Sequence, residues 1–340
     1  MMKHALFYII ITIVLVLTGC KSALNSKAVT YADPLQEPDF IVDIYLPDKA
    51  CHGTTIFSDN HIRNRPRIIE VDMKGNILWE YVVPSDLRRF NNPGFDVEPL
   101  SNNNILFVLP GKGIFEIDRT GNTIWSHLDR KVSHDADRLA NGNTLYVYGN
   151  QDKKSDAQVM EVNSMGRSVW TWHAKDNFDI PPYDNYYEQG WSHTNAVVRL
   201  NSGNTLISPR NFNCLVEISP EGKVINLIGK GYLDHQHDPQ ILANGNILVA
   251  NHDRPNEILE IDRKTQTVIW RFTLGSRKMW PVRDANQLPN GNILITGSTG
   301  LVEITPQKEI VWRLKLKNIP FKSPKDAPAL GFYKAERIKK

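Results

Sequence analysis

The chain has 340 residues, of which 41% are hydrophobic and 23% charged, and its formal net charge is +3 with histidine neutral. This composition suits a globular protein with a sizeable core and sets aside disorder or a collagen-like repeat. So small a charge, with no basic block before the stretch 336–340, gives no footing for nucleic acid as a partner.

The N-terminus reads as an export signal. Lys3 and His4 precede a near-continuous apolar run from Leu6 to Leu17, which is too short to span a bilayer needing ~20 residues. The run stops at Leu17-Thr18-Gly19-Cys20. Leu-x-Gly-Cys resembles the bacterial lipoprotein cleavage box. The resemblance implies that residues 1–19 are removed and that Cys20 becomes the lipidated first residue of a periplasmic, membrane-anchored protein. Lys21 rather than Asp follows Cys20, which points to the outer membrane. Residues 20–39 are polar and Pro-containing and read as a tether. Of the other cysteines, Cys51 and Cys214, no spacing motif supports a bond even where oxidation permits one, and two buried free thiols are expected. A strand over Phe40 to Leu46 follows the tether. It is expected to close or cover the fold, with a partner in the tail near Ala329–Tyr333.

A repeat then sets in. Trp79, Trp125, Trp170, Trp270 and Trp312 each close an apolar strand, at spacings of 46, 45, 100 and 42 residues. The long step is two periods with one Trp missing, and Ile225 stands near the vacant place. A strand of apolar-Glu-apolar-polar type precedes each Trp, as in Phe115-Glu116-Ile117-Asp118 and Leu259-Glu260-Ile261-Asp262. Before that comes an inner hairpin, turning at Asn103, Gly142, Gly203, Gly245 and Gly291; Asn-Gly between apolar runs is a strong hairpin signal. Six such units of ~40–50 residues predict an all-β, six-bladed β-propeller over residues 40–330, followed by a tail over 331–340. The Pro- and Tyr-rich residues 174–190 break the repeat and are expected to form a loop on the substrate face. The repeat tryptophans are expected to pack the core.

Eight positions before each hairpin turn stand Phe95, His134, Asn195, His237 and Arg283; two positions further back stand Pro93, Val132, His193, His235 and Pro281. The innermost strands of a propeller line a central channel, so these residues are expected at one mouth. A purely structural repeat keeps its residues constant. These vary and are mostly polar, whereas Asp96, Asp135 and Asp284 beside them keep to type as scaffold. From the residues alone three readings stay open: hydrogen-bonded structural histidines, a metal site built on His235-Gln236-His237, and a group-transfer site. The cationic Arg210 and the lack of a carboxylate-histidine motif count against a metal. His52, His61, His127, His173 and His252 lie off the pattern and are expected at surface or turn positions.

Ser133-His134-Asp135, Trp191-Ser192-His193-Thr194-Asn195 with Ile207-Ser208-Pro209-Arg210 downstream, and His235-Gln236-His237 resemble the active-site segments of the bacterial arylsulfate sulfotransferases. These are periplasmic six-bladed propellers that need no nucleotide sulfate donor, and the resemblance covers most of residues 50–315. It implies a ping-pong reaction without a cofactor, in which a phenolic sulfate gives its sulfuryl group to a histidine and a phenol accepts it. On that resemblance His237 is the nucleophile. His134, His193 and Arg210 bind the sulfuryl oxygens and handle protons, and Asn195 is a supporting amide. Tyr183, Tyr186, Tyr187 and Trp191 are expected to form an aromatic wall for the phenol. The chain departs from the long family members, which carry an extra N-terminal β domain and in some cases a cysteine pair, and His235 has no role in the pattern. Two other classes remain: a non-catalytic propeller lipoprotein that scaffolds the envelope, and a quinone- or metal-dependent propeller enzyme.

Overall fold

The computed structural model describes residues 38–339 apart from 63, 91, 150, 151, 253, 254, 274–278, 280 and 319–330. The export signal, Cys20 and residues 21–37 of the tether lie outside the described residues. Among those described, the chain forms six antiparallel sheets arranged as the six blades of a propeller. Blade 2 shows the pattern: Val97–Pro99 innermost, then Ile105–Leu109, Gly113–Ile117 and Thr123–His127 at the rim. The second and third strands are buried along their whole length, because each blade is covered on both faces by its neighbours. Such strands read as continuous apolar runs rather than alternating ones. Rim strands alternate, as in Thr267–Thr273, where every second side chain faces water.

The repeat signature has a physical origin. The inner turn residues Asn103, Gly142, Gly203, Gly245 and Gly291 all have φ between 69° and 87°, a region glycine and asparagine enter at least cost. The Asn that follows the turn donates to the Glu of the third strand: Asn104 to Glu116 at 2.7 Å, Asn143 to Glu161 at 2.6 Å, Asn246 to Glu260 at 2.6 Å. That Glu also pairs with an arginine of the next blade, as in Glu116–Arg138 and Glu161–Arg199. Each repeat tryptophan donates its indole N–H to a carbonyl of the following blade, from Trp79 to Arg119 through to Trp312 onto Met73, which joins blade 6 back to blade 1. In blade 4 the place opposite the repeat's Glu217 is held by Asn226, which accepts from Gln266 of blade 5 at 3.0 Å. Ile225 beside it is exposed.

Ring closure differs from the sequence expectation. Phe332–Ile338, read as the start of a tail, is the innermost strand of blade 1 and pairs antiparallel with Thr54–Asp59. Phe40–Tyr45 is a fifth, outer strand of blade 6 on Ile310–Leu316. The two terminal segments therefore sit on neighbouring blades and do not pair with each other. The reason is apolar: Phe332 is fully buried and meets the Phe57 ring edge-on at 4.8 Å. Removing a buried phenylalanine side chain of this kind costs about 3–5 kcal/mol. The two thiols Cys51 and Cys214 are free and buried.

The closing strand also supplies Lys334, whose ammonium lies 3.5 Å from Asp96, 3.5 Å from Asp135 and 3.1 Å from Asp238. Three blades are thus tied to a fourth by one buried cation. The carboxyls push the ammonium well above its ordinary pKa against the cost of burial, while burial lifts Asp96 and Asp135 above theirs. Lys334→Met leaves those carboxyls without their counter-charge, and removing one partner of a buried pair costs about 3–5 kcal/mol. The loss in urea midpoint is predicted to be larger at pH 8 than at pH 5, where the stranded carboxyls can be buried protonated.

Candidate active site

The innermost strands do not run regularly at their starts. In blade 6, Val282 faces Gly297 but Asp284 faces Thr296, so Arg283 is an extra residue. Blades 4 and 1 also carry one extra residue, around Asn195 and Tyr333, and blade 3 carries two around His134. A bulge sets two residues against one and turns successive side chains to one side. Residues that a regular strand would point apart thus share the channel: His134 over Asp135, Arg283 over Asp284, Tyr333 over Lys334. Above this layer opens a cavity of about 360 Å³ lined by His134, His193, Asn195, Arg210 and His237 together with His252, Arg283 and Tyr333.

His237 is buried. Its Nδ1 lies 3.0 Å from the His235 carbonyl, and its Nε2 lies 3.1 Å from the Asn195 amide nitrogen. The carbonyl can only accept and the amide nitrogen only donate, so the proton sits on Nδ1 and Nε2 carries the lone pair. His193 likewise donates from Nδ1 to the Gln189 carbonyl at 2.9 Å. Its ring centroid lies 5.0 Å from that of His134. His134 meets the Ser133 hydroxyl through Nδ1. On its other side is Gly94, where a Cβ would stand 2.6 Å from the ring; blade 2 offers the imidazole bare backbone. Arg210 follows the strand Thr205–Pro209, and its Nε donates to Asn211 Oδ1 at 3.2 Å. The roof is the end of the inserted segment: Asn211 Nδ2 donates to the carbonyls of Glu188, Gly190 and Trp191. Asp152 holds the start of blade 4, accepting from Ser192 Oγ at 3.0 Å and from the His193 amide. His193 and His235 have φ of 45° and 51°, a strained region for a side chain of this size.

Burial sets the electrostatics. It pushes His134 down to about 3, with the guanidiniums of Arg210 and Arg283 adding to the effect. Burial also holds His193, His237 and His252 well below the ordinary imidazole value. The imidazoles are therefore neutral at neutral pH, and the cationic charge of the wall rests on Arg210 and on Arg283, whose own pKa burial lowers to about 10. Neutral imidazole lone pairs beside fixed guanidiniums suit attack on an anionic centre whose oxygens need neutralising.

The structure brings together all five residues expected at the reacting centre. It does not do so for the aromatic wall. Tyr183 and Trp191 pack with Phe178 and Phe212 in the core between blades 3 and 4, the Trp191 indole donating to the Tyr183 carbonyl at 2.7 Å. Tyr187 is exposed and Tyr186 half-buried, and none of the four lines the cavity. Tyr183 and Trp191 are drawn to Phe178 and Phe212 and so cannot line a surface. Among the described residues, the phenol rings that line the cavity are Tyr148 and Tyr333. Phe95 turns into the core against Phe107, leaving Asn92 and Pro93 at the cavity. His235 stays outside the cavity lining, its Nε2 3.6 Å from Glu188 of the roof segment. Two histidines expected at surface or turn positions stand elsewhere: His61 is buried on Asp59 at 2.6 Å, and His252 is half-buried in the cavity wall. A signal for His252 existed. It stands seven positions after its hairpin turn, as Arg210 does. Among the described residues no group of three or more His, Cys, Asp or Glu is disposed to hold a metal ion.

A closed six-bladed propeller with histidines and arginines gathered at one channel mouth defines a class of propeller with a polar, anion-suited site. Residues 45–231 match the sequence profile of the arylsulfotransferase (ASST) family; the match spans more than half of the chain, and the chain belongs to that family. Membership supports sulfotransferase activity, with small phenolic compounds as substrates. No curated protein matches the chain. Among solved structures it is similar to a protein of unknown function from Bacteroides caccae, at 19% identity and TM-score 0.60, over 80% of this chain and 96% of that one. It is also similar to virginiamycin B lyase from Staphylococcus aureus, at 10% identity and TM-score 0.50, over 80% and 88%. A gluconolactonase from Xanthomonas campestris matches at 9% identity and TM-score 0.50, over 79% and 86%. At these identities the likeness is one of fold alone.

The buried neutral imidazoles make a prediction about acid. Between about pH 3 and the ordinary imidazole value near 6.5, the unfolded chain binds a proton at residue 134 that the folded chain refuses. Stability then falls as pH falls, by about 1.4 kcal/mol per pH unit for each such group. His134→Gln should remove one group's share of that slope in urea titrations run from pH 4 to 7. An unchanged slope would show that the imidazole is protonated in the folded state.

Proposed function

We propose that the protein is an arylsulfate sulfotransferase that carries a sulfuryl group from a phenolic sulfate ester to a phenolic acceptor by way of His237. The observation that carries this reading is the state of His237: Nδ1–H on a backbone carbonyl, and Nε2 as a lone pair in a cavity that Arg210 also lines. In the first half-reaction Nε2 attacks sulfur, the Nε2–S bond forms, and the S–O bond to the ring breaks. The phenolate leaves with the electron pair. Arg210 and the His134 imidazole face the sulfuryl oxygens, where charge spread over three oxygens calls for positioning and neutralisation rather than covalent help. His193 has Nδ1 committed to Gln189, so Nε2 is the nitrogen it presents to the cavity. A bound anion raises its proton affinity, so Nε2 takes up a proton from solvent as the ester binds, and the resulting imidazolium gives that proton to the departing phenolate. The second half-reaction reverses these roles: His193 takes the acceptor's proton, the new phenolate attacks sulfur, and the pair returns to Nε2. Asn195 holds the imidazole plane by its bond to Nε2 and yields that nitrogen as sulfur approaches.

The same reading has the protein in the periplasm, lipid-anchored through Cys20 to the outer membrane, as the cleavage-box resemblance suggests. Cys20→Ser should release it from membranes on fractionation and abolish fatty-acid labelling.

Incubation with 4-nitrophenyl sulfate and phenol tests the chemistry. Nitrophenol release is expected to depend on phenol and to vanish in His237→Ala. Arg210→Gln is predicted to lower kcat by about 10²–10³, as loss of one oxyanion donor does. Absence of release from the wild type, or full activity in His237→Ala, would overturn the reading.

A further inference from the structure

His252 belongs to none of the active-site segments that carry the family resemblance, yet its ring lies against that of His237. It stands one residue past the strand Ile247–Asn251 and lines the cavity. The two ring centroids are 4.8 Å apart, and Nδ1 of His252 lies 3.4 Å from Nδ1 of His237. The chain at this point is fixed: Asn251 Oδ1 accepts the amide of Asp234, at the start of blade 5, at 2.7 Å, and Asn251 Nδ2 donates to Glu257. The two histidines thus stand on segments of one blade that are bonded directly to each other.

We propose that His252 is a positioning residue for the sulfuryl-accepting histidine, sharing the His237 Nδ1–H with the His235 carbonyl and so keeping the Nε2 lone pair turned to the substrate. The proposal rests on the sulfuryl-transfer reading of His237 given above. The reason for a second acceptor lies in the charge that transfer creates. Attack by neutral Nε2 forms the N–S bond and leaves the ring formally cationic, with its positive charge shared by Nδ1–H. A carbonyl alone solvates that proton on one side. A neutral imidazole nitrogen at 3.4 Å solvates it on the other, and the stabilisation exists only once sulfur is bonded, which is where it speeds the reaction. When the acceptor phenolate attacks sulfur, the N–S bond breaks, the pair returns to Nε2, and the proton has never left Nδ1.

His252 must be neutral to accept. Burial first, and then Arg283 of blade 6, Arg210 of blade 4 and His235 of its own blade, disfavour its protonated form, and the other titratable group facing it is His237 itself. The blade-4 counterpart of His252 in the repeat is Arg210, seven positions after the hairpin turn. The same place in two neighbouring blades therefore supplies a cation toward the oxygens and a base toward the nucleophile.

Two variants and two readouts test this on the full chain. His252→Phe removes the acceptor and keeps a ring. His252→Gln keeps an amide oxygen able to accept from Nδ1–H. In single-turnover reactions with 4-nitrophenyl sulfate, His252→Phe is expected to slow the nitrophenol burst about 10²-fold, within the range set by loss of a catalytic proton partner, with little change in KM. His252→Gln is expected to recover about tenfold of that. Imidazole 15N NMR should show His237 protonated on Nδ1 in the wild type and in His252→Gln, and as a tautomer mixture in His252→Phe. Equal bursts in wild type and His252→Phe, equal losses in the two variants, or an unchanged His237 tautomer in His252→Phe would overturn the proposal. If the wild type releases no nitrophenol, the sulfuryl-transfer reading fails and this proposal with it. The NMR still decides separately whether His252 sets the tautomer.

Discussion

One buried ammonium holds the site in register. Lys334 meets Asp96, Asp135 and Asp238, and two of those carboxylates directly follow a residue of the upper ring: Asp135 follows His134 and Asp238 follows His237. Lys334 itself follows Tyr333. Four strand starts are thus drawn to a common point one residue below the cavity, and the side chains above inherit that convergence. A buried ion cluster is a poor source of net stability, because desolvation offsets most of the attraction. Its value here is geometric: the pairing works only if blade 1 is closed by the C-terminal strand. Closure of the ring and assembly of the cavity are one event.

The bulges in the innermost strands give this arrangement its two layers. Without them His134 and Asp135 would point to opposite faces, as alternation along a strand demands. With them, an acidic layer around Lys334 lies beneath a layer of imidazoles and guanidiniums. The lower layer binds the fold together. The upper one is desolvated enough that its imidazoles stay neutral and nucleophilic, while the arginines keep the charge an anion needs. A propeller suits this division, since six strands bring six independent side chains to one point and only the blade-to-blade contacts behind them must repeat.

That separation explains what was legible in the sequence. Contacts between blades repeat, so the Asn-Gly turns, the Glu strands and the tryptophans announced the propeller. Against a constant frame the varying residues stood out, and His134, His193, Asn195, Arg210 and His237 do converge. Tyr333 and Lys334 were hidden because the innermost strand of the first blade comes from the other end of the chain, beyond the last repeat. His252 was hidden because the turns mark strand starts more plainly than strand ends. Tyr183 and Trp191 misled because the residues that suit a phenol also suit a small apolar core, and local packing claimed them. Phe95 kept its place in the repeat, but the backbone turn at Gly94 rotated it into the core.

The central claim is that His237 Nε2 accepts the sulfuryl group. The direct test is to mix the enzyme with 4-nitrophenyl sulfate without an acceptor, quench under alkaline conditions that preserve N-sulfonated imidazole, and map the modification by peptide mass spectrometry. The account predicts a mass gain of one SO3 on the peptide containing His237, assigned to that residue by fragmentation and discharged by adding phenol. A sulfuryl group found on His134, His193 or His252 instead, or nitrophenol released with no modified peptide, would contradict it.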